Sequence, residues 1–220
     1  MSLFPALLAI ILSGFAGGFF TFGYKAMGQL NHRHGPFIFL YGLTSSLFTA
    51  IGVFLIRGTL VDPMLWIFGI SHGVSMCLAI LFYARIIGNI RLSISWTIIQ
   101  FSILIPLAIS LIFFETDLSL LAIVGSAFMV LAIIIFSLGK KRTSSTEESL
   151  RLTFKNGLLL FSSALFTGIA FTIPMVYVKT SETSQPLSLL FISAIATLMT
   201  SLWFVRKGDW SYIVGDWKIV

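Results

Sequence analysis

Seven long apolar stretches, none of which contains a charged residue, dominate this sequence. A helix needs about 20 consecutive apolar residues to cross the hydrocarbon core of a bilayer. A charge at the bilayer centre costs at least about 2.5 kcal/mol, which explains why every Asp, Glu, Lys and Arg lies outside the stretches. The predicted spans are residues 3–24, 37–56, 64–84, 93–114, 118–138, 157–178 and 187–205.

These stretches predict an all-α, polytopic helical membrane protein with about seven transmembrane helices. Strands of a membrane barrel would be shorter and would alternate apolar with polar residues. Charged residues make up only 10% of the chain, whereas soluble domains have about 25%. A net charge of +6 would suggest nucleic acid in a soluble protein. Here it is typical of loops beside an anionic leaflet, so the expected partner is the lipid bilayer and no nucleic acid.

Lys and Arg are distributed unevenly between the two predicted sides of the membrane. All of them except Arg57 and Lys179 lie in connections after odd-numbered spans or in the tail after residue 205. Cytoplasmic loops carry the excess of Lys and Arg. We therefore expect a multi-pass protein of the cell membrane with an extracytoplasmic N-terminus and a cytoplasmic basic linker at 139–156.

The sequence after this linker partly repeats the sequence before it. Small residues of the first and sixth spans match at one constant separation: Ser13 with Ala164, Gly17 with Gly168 and Thr21 with Thr172. Because five helices are an odd number, a second copy enters the membrane from the opposite side, as in the inverted repeats of secondary transporters. The predicted units are a first five-helix repeat at 1–138 and an incomplete second repeat at 157–220.

The second repeat contains only two of the five expected spans. Two interpretations follow: the chain is truncated, or a partner chain, such as a second copy in a homo-oligomer, supplies the missing half. We favour truncation.

The stretch 94–141 resembles the fourth and fifth helices of EamA-type members of the drug/metabolite transporter superfamily. Their pattern has a proline midway along helix four, a Gly-Glu pair at its end, a short polar turn and a glycine early in helix five. These places are taken here by Pro106, Glu115, residues 116–119 and Gly125. The stretch LSGFAGGFFTFGYKAM (12–27) is similar to the small-residue-rich opening helix, with Lys25 just past it.

The resemblance implies ten helices in two inverted halves and the export or exchange of small metabolites or drug-like solutes, without a prosthetic cofactor. The alternative is a membrane protein that does not transport, either a truncated product or an assembly subunit. An enzyme is not expected, because the sequence has no HExxH, GxSxG or Walker A motif and no paired carboxylates within a span. No metal site is expected, since His32 and His34 have no carboxylate or cysteine near them.

Six residues are candidates for lining a solute cavity. His72 is the only histidine inside a span, and the amide of Gln100 finds no partner in lipid. Small residues leave room for a solute, but they also allow close helix packing, and both interpretations stay open. The candidates are Ser13, Gly17, Thr21, His72, Gln100 and Thr172.

Three further residues are structural candidates. Pro106 and Pro174 interrupt the hydrogen-bond ladder of their helices, which predicts kinks or hinges. Glu115 at the end of the fourth span could pair with Arg57 or another loop cation, or carry a coupling proton, but an interface charge or a structural cap is favoured. Since no charge lies within the spans, neutral, zwitterionic or amphipathic solutes are favoured.

Overall fold

A computed structural model describes residues 34–55, 58–87, 99–114, 154–181 and 185–205, with residues 124, 125, 127, 128 and 131. All regular elements within these ranges are helices, so the all-α prediction is confirmed for this part of the chain. The helices are α1 (His34–Leu55), α2 (Pro63–Ile87), α3 (Leu104–Phe113, preceded by a 3₁₀ turn at Phe101–Ile103), α4 (Phe154–Thr180) and α5 (Pro186–Leu202).

Three of these helices are long and apolar enough to cross a membrane. They contain the segments Gly35–Leu55, Pro63–Ile86 and Asn156–Thr180, which correspond to the second, third and sixth predicted spans. Helices α3 and α5 are apolar but shorter, and they lie within the fourth and seventh predicted spans. The first span, most of the fifth span, most of the linker 139–156 and the tail after 205 lie outside the described residues. The number of seven spans remains a prediction.

Helices α2 and α5 begin in the same way, with a proline directly after a polar residue. Proline suits the first helical position because it has no N–H group that would lack a partner there. Before α2, the carboxylate of Asp62 accepts a hydrogen bond from the Met64 N–H at 2.9 Å. Before α5, the side-chain oxygen of Gln185 accepts one from the Ser188 hydroxyl at 3.2 Å. Asp62 thus caps the first turn of α2, whereas the Gln185 side chain caps no backbone N–H of α5.

Helix α2 lies at the centre of the described bundle. It packs extensively against α4 on one side and α5 on the other. Helix α5 in turn packs against α1, and α4 packs against α3. The five helices therefore follow each other in space in the order α1, α5, α2, α4, α3.

Contacts along the helices give their relative directions. Helices α1 and α5 are antiparallel, because Gly35 lies beside Phe204 whereas Gly52 lies beside Leu187. Helices α2 and α4 are also antiparallel. Their contacts are Phe68 with Tyr177 and Ala79 with Ser163.

Two other helix pairs are parallel. Along α2 and α5, Gly69 meets Ile192 and Gly73 meets Ala196. Along α3 and α4, Gly168 meets the 3₁₀ turn and Ile105, and Ile109 lines a common pocket with Thr172 one turn further on.

The surface of the bundle is apolar, and part of its interior is polar. Phe48 and Phe54 of α1 are 76% and 83% exposed. Buried positions include ten polar side chains: Ser46, His72, Ser102, Ser163, Thr167, Thr172, Ser188, Ser193, Thr197 and Ser201. Contiguous exposed apolar surface of this extent is unfavourable in water. It is what a helix bundle presents to lipid.

Candidate functional site

An apolar pocket of about 170 Å³ lies between α2, α3 and α4. It is open on one side. Phe68 of α2 forms one wall, and its ring packs against the fully buried Tyr177 of α4 at a centroid distance of 5.8 Å. The residues that line this α2–α3–α4 pocket are Phe68, Ile109, Ile169, Thr172, Ile173 and Val176.

Both prolines predicted as hinges lie beside the α2–α3–α4 pocket. Pro174 lies within α4 next to the lining residue Ile173, and α4 continues as a helix past it. Pro106 lies in the first turn of α3, one turn before Ile109. Because proline has no N–H, the carbonyl groups four residues earlier, those of Ala170 and Ser102, lose their usual helical donors. Two weakened helix segments therefore border the pocket.

The break before Pro106 coincides with a change of helix type. Residues Phe101–Ile103 form a 3₁₀ turn, and the α-helix begins at Leu104. The carbonyl oxygen of Ser102 faces Gly168 of α4 so closely that a Cβ at residue 168 would lie 2.8 Å from it. A side chain at residue 168 would therefore push α3 and α4 apart. Ser102 is 2% exposed, and its hydroxyl has no hydrogen-bond partner in the structure.

His72 belongs to a second polar group, between α2 and α5. Its Nδ1 lies 2.5 Å from the hydroxyl oxygen of Ser193, and both side chains are buried. One turn along α5, the Thr197 hydroxyl lies within hydrogen-bond distance of two carbonyl oxygens, that of Gly73 at 3.1 Å and that of Ser193 at 2.9 Å. This His72–Ser193–Thr197 group connects α2 to α5 in the interior of the bundle.

The three predicted cavity residues that the structure describes do not line one common pocket. Thr172 lines the α2–α3–α4 pocket, and its hydroxyl donates to the Gly168 carbonyl at 2.8 Å, within its own helix. His72 lies toward α5 and is not among the residues that line this pocket. Gln100 is half-buried directly before the 3₁₀ turn. Ser13, Gly17, Thr21 and Glu115 lie outside the described residues.

A group of hydrogen bonds around Gln185 joins two connections at one end of the bundle. The side-chain oxygen of Gln185 accepts from the Thr59 backbone N–H at 2.8 Å, and its side-chain nitrogen donates to the Thr59 hydroxyl at 2.6 Å. The Gln185 backbone N–H donates to the Tyr177 hydroxyl at 3.3 Å. One side chain thus ties the segment between α1 and α2 to the segment between α4 and α5.

Sequence reasoning did not single out the apolar residues that line the pocket. Ile109, Ile169, Ile173 and Val176 have the same composition as residues that face lipid, so the sequence carries no separate signal for them. It also did not single out Ser102. Its four-residue spacing before Pro106 was the available signal, because a proline at that position removes the helical donor of the Ser102 carbonyl.

The arrangement can hold a small apolar group and orient it with few polar contacts. Within the described ranges there is no group of three or more His, Cys, Asp or Glu side chains that would hold a metal ion. No protein-family model, no curated protein and no solved structure matches this chain.

Proposed function

We propose that the protein is a secondary transporter that moves small neutral or amphipathic solutes across the cell membrane by alternating access. The observation that carries this proposal is the apolar pocket between α2, α3 and α4, which is bordered by Pro106 and Pro174. Solute sites of secondary transporters lie where helices are interrupted within the membrane. An interrupted helix also bends at low cost, so the walls of this pocket are suited to change shape during transport.

The directions of the helices support a chain that crosses the membrane in alternation. In the proposed topology, α1, α3 and α4 are the second, fourth and sixth spans and run one way, whereas α2 and α5 are the third and seventh and run the other way. The contacts give antiparallel pairs α1–α5 and α2–α4 and parallel pairs α2–α5 and α3–α4. All four relations agree with this alternation.

The packing of α1 against α5 supports the proposed inverted repeat. These helices are the second and seventh predicted spans, which occupy equivalent places in the two repeats. Helices related by a two-fold axis in the membrane plane run in opposite directions, and a pair close to the axis meets directly. Helices α1 and α5 are antiparallel and in extensive contact. The proposed membership of the EamA-type transporters rests on this arrangement together with the sequence resemblance.

The proposed mechanism is a rocking of the bundle that exposes the α2–α3–α4 pocket to one side of the membrane at a time. The solute binds through its apolar surface and makes few hydrogen bonds. No step requires a cofactor, because transport here is binding and conformational change. The driving ion or exchanged solute is not part of the proposal.

Uptake into vesicles tests this function. The full chain is reconstituted into liposomes and exposed to a defined mixture of neutral, zwitterionic and monocationic amphipathic metabolites, and the vesicle contents are read by mass spectrometry. We expect selective accumulation of some neutral or amphipathic members. Ile173→Trp fills the pocket and should abolish that accumulation.

The matched control is Phe171→Trp, an enlargement two residues away at a position that is 48% exposed and does not line the pocket. It should keep the accumulation. Equal uptake by protein-free vesicles and by vesicles with folded protein would contradict transport and favour the non-transporting alternative. Equal uptake by both tryptophan variants would show that solutes do not use this pocket.

Cysteine labelling in intact cells tests the proposed topology separately. In a Cys77→Ala background, single cysteines are placed at Thr183, between the sixth and seventh spans, and at Ser145 in the linker. A membrane-impermeant maleimide should label residue 183 in intact cells and residue 145 only after permeabilisation. The reverse result would invert the proposed orientation.

A further inference from the structure

Ser102 is an exception among the buried serines and threonines of the described ranges. The other buried serines and threonines in the described ranges have hydrogen-bond partners: Ser46, Ser163, Thr167, Thr172, Ser188, Ser193, Thr197 and Ser201. The Ser102 hydroxyl has none, although the residue is only 2% exposed. A buried polar group without a partner costs stability, so it calls for an explanation, such as a molecule that binds there.

Ser102 lies on the same seam between α3 and α4 as the α2–α3–α4 pocket. On this seam, Gly168 meets both the Ser102 carbonyl and the Ile105 side chain. One turn further along both helices, Ile109 and Thr172 line the pocket. Ser102 is not itself a lining residue, and the pocket lies one to two helical turns further along the seam. Because residue 168 is glycine and has no side chain, the side chain of Ile105 fills the space between α3 and α4 at this level.

We propose that Ser102 is the polar end of the solute site and that the solute is a neutral amphipath. In this arrangement the apolar body of the solute occupies the α2–α3–α4 pocket. A hydroxyl or carbonyl group of the solute forms a hydrogen bond with the Ser102 hydroxyl. The Ser102 carbonyl has no α-helical donor because residue 106 is proline, and it faces the Leu104 N–H and Gly168 instead. This inference rests on the proposed function and specifies its class of solute.

The charges around the site favour a neutral head group. Among residues with described side chains, Asp62 precedes α2, Arg85 lies in its last turn and Lys179 lies in the last turn of α4. None of these three lines the pocket. An ionic head group would therefore enter a low-dielectric interior without a described counter-charge, which is far more costly than burying a hydroxyl that is hydrogen-bonded.

Photolabelling tests the subsite without any transport measurement. The full chain in lipid nanodiscs is labelled with a photoactivatable octanol that carries a diazirine, and in parallel with the octane analogue that carries the diazirine but no hydroxyl. Labelled peptides are identified by mass spectrometry. We expect saturable labelling of the peptides that contain Ile109 and Ile173. We also expect Ser102→Ala to weaken half-saturation by octanol about fivefold, the effect of one lost hydrogen bond, and to leave octane unchanged.

Ser163→Ala is the matched control. Ser163 is 1% exposed and lies where α4 contacts α2, and its hydroxyl already donates to the Ala79 carbonyl at 2.9 Å. This variant should keep the preference for octanol. Unchanged octane labelling shows that the pocket of a variant is intact. If Ser102→Ala does not fold, the wild-type protein must still prefer octanol over octane after correction for lipid partitioning.

Octanol labelling that is indifferent to Ser102→Ala, or a wild-type protein without preference for octanol, would overturn the assignment of Ser102. Failure of either analogue to label the pocket saturably would overturn it as well. These outcomes are distinct from failure of the proposed function, because labelling needs no flux. A protein that binds octanol through Ser102 but accumulates no solute in vesicles would contradict transport alone.

Discussion

Replacing Gly73 with alanine should separate α2 from α5, and Gly52→Ala provides the comparison. A Cβ at residue 73 would overlap the carbonyl oxygen of Ser193 and lie 2.7 Å from the Cβ of Ala196. A Cβ at residue 52 would lie 3.6 Å from the nearest atom, which belongs to the side chain of Leu187. The two variants add the same methyl group to a membrane helix, but only the methyl group at residue 73 clashes with the backbone of a neighbouring helix.

We expect the two substitutions to change the free energy of unfolding in opposite directions. Alanine in place of glycine within a helix gains at most about 1 kcal/mol, and less if the helix persists in the unfolded state. Gly52→Ala should therefore be neutral or slightly stabilising. At residue 73, overpacking costs about 1–3 kcal/mol. Weakening of the His72–Ser193 and Thr197–Gly73 hydrogen bonds costs about 1 kcal/mol each. We expect a net loss of roughly 2–4 kcal/mol for Gly73→Ala.

Unfolding by SDS in mixed micelles, followed by circular dichroism and tryptophan fluorescence, measures both variants. In a thermal melt, a difference of about 3 kcal/mol corresponds to roughly 6–12 °C for a chain of this size. If Gly73→Ala were as stable as Gly52→Ala, α2 and α5 would not be in the close contact described. The hydrogen bonds of His72 with Ser193 and of Thr197 with Gly73 would then also be contradicted.

Three further predictions follow from the hydrogen bonds and burial. Ser102→Ala should raise the melting temperature, because it removes an unpaired buried hydroxyl that costs about 1–3 kcal/mol, whereas Ser163→Ala should lower it by breaking a bond worth about 1 kcal/mol. The same sign for both variants in differential scanning fluorimetry would contradict the hydrogen-bond assignment. Gln185→Ala should speed hydrogen exchange of the Thr59 amide about fivefold, because that amide loses its hydrogen-bond acceptor. Mass spectrometry of the 58–62 segment measures the rate, and an unchanged rate would mean that Gln185 does not hold this segment. Cys77 is fully buried and should react with maleimide only after unfolding in SDS. Stoichiometric labelling of the native protein would contradict this buried position.

The helices were the predictable part of this structure. Because a charge is so costly in lipid, the apolar runs 64–84 and 157–178 located α2 and α4 to within a few residues. The ends were less predictable. Helix α4 begins at Phe154, inside the predicted linker, because Lys155 and Asn156 are compatible with a helix that extends past the hydrocarbon core.

The candidate site was much less predictable, because in a membrane protein the residues that line an apolar pocket and those that face lipid are of the same apolar types. Thr172 was predicted from its place in the repeat and lies in the pocket, but Ile109 and Ile173 look like any lipid-facing residue. Serines are ambiguous for a different reason. Ser102 and Ser110 lie in the same span, and either hydroxyl can bond to its own helix backbone. Only packing distinguishes the buried Ser102 from the half-buried Ser110.

Helix α2 is fastened to both neighbours by side chains that cross between helices. Ser163 binds its Ala79 carbonyl from α4, and Thr197 binds its Gly73 carbonyl from α5. Helix α1 meets α5 through glycine: a Cβ at Gly42 would lie only 2.8 Å from the Leu198 Cα, so the two backbones are in close contact there. Hydrogen bonds between helices therefore hold α2 to α4 and to α5, whereas the seam of α1 with α5 depends on glycine, so a larger residue at position 42 would separate these two helices.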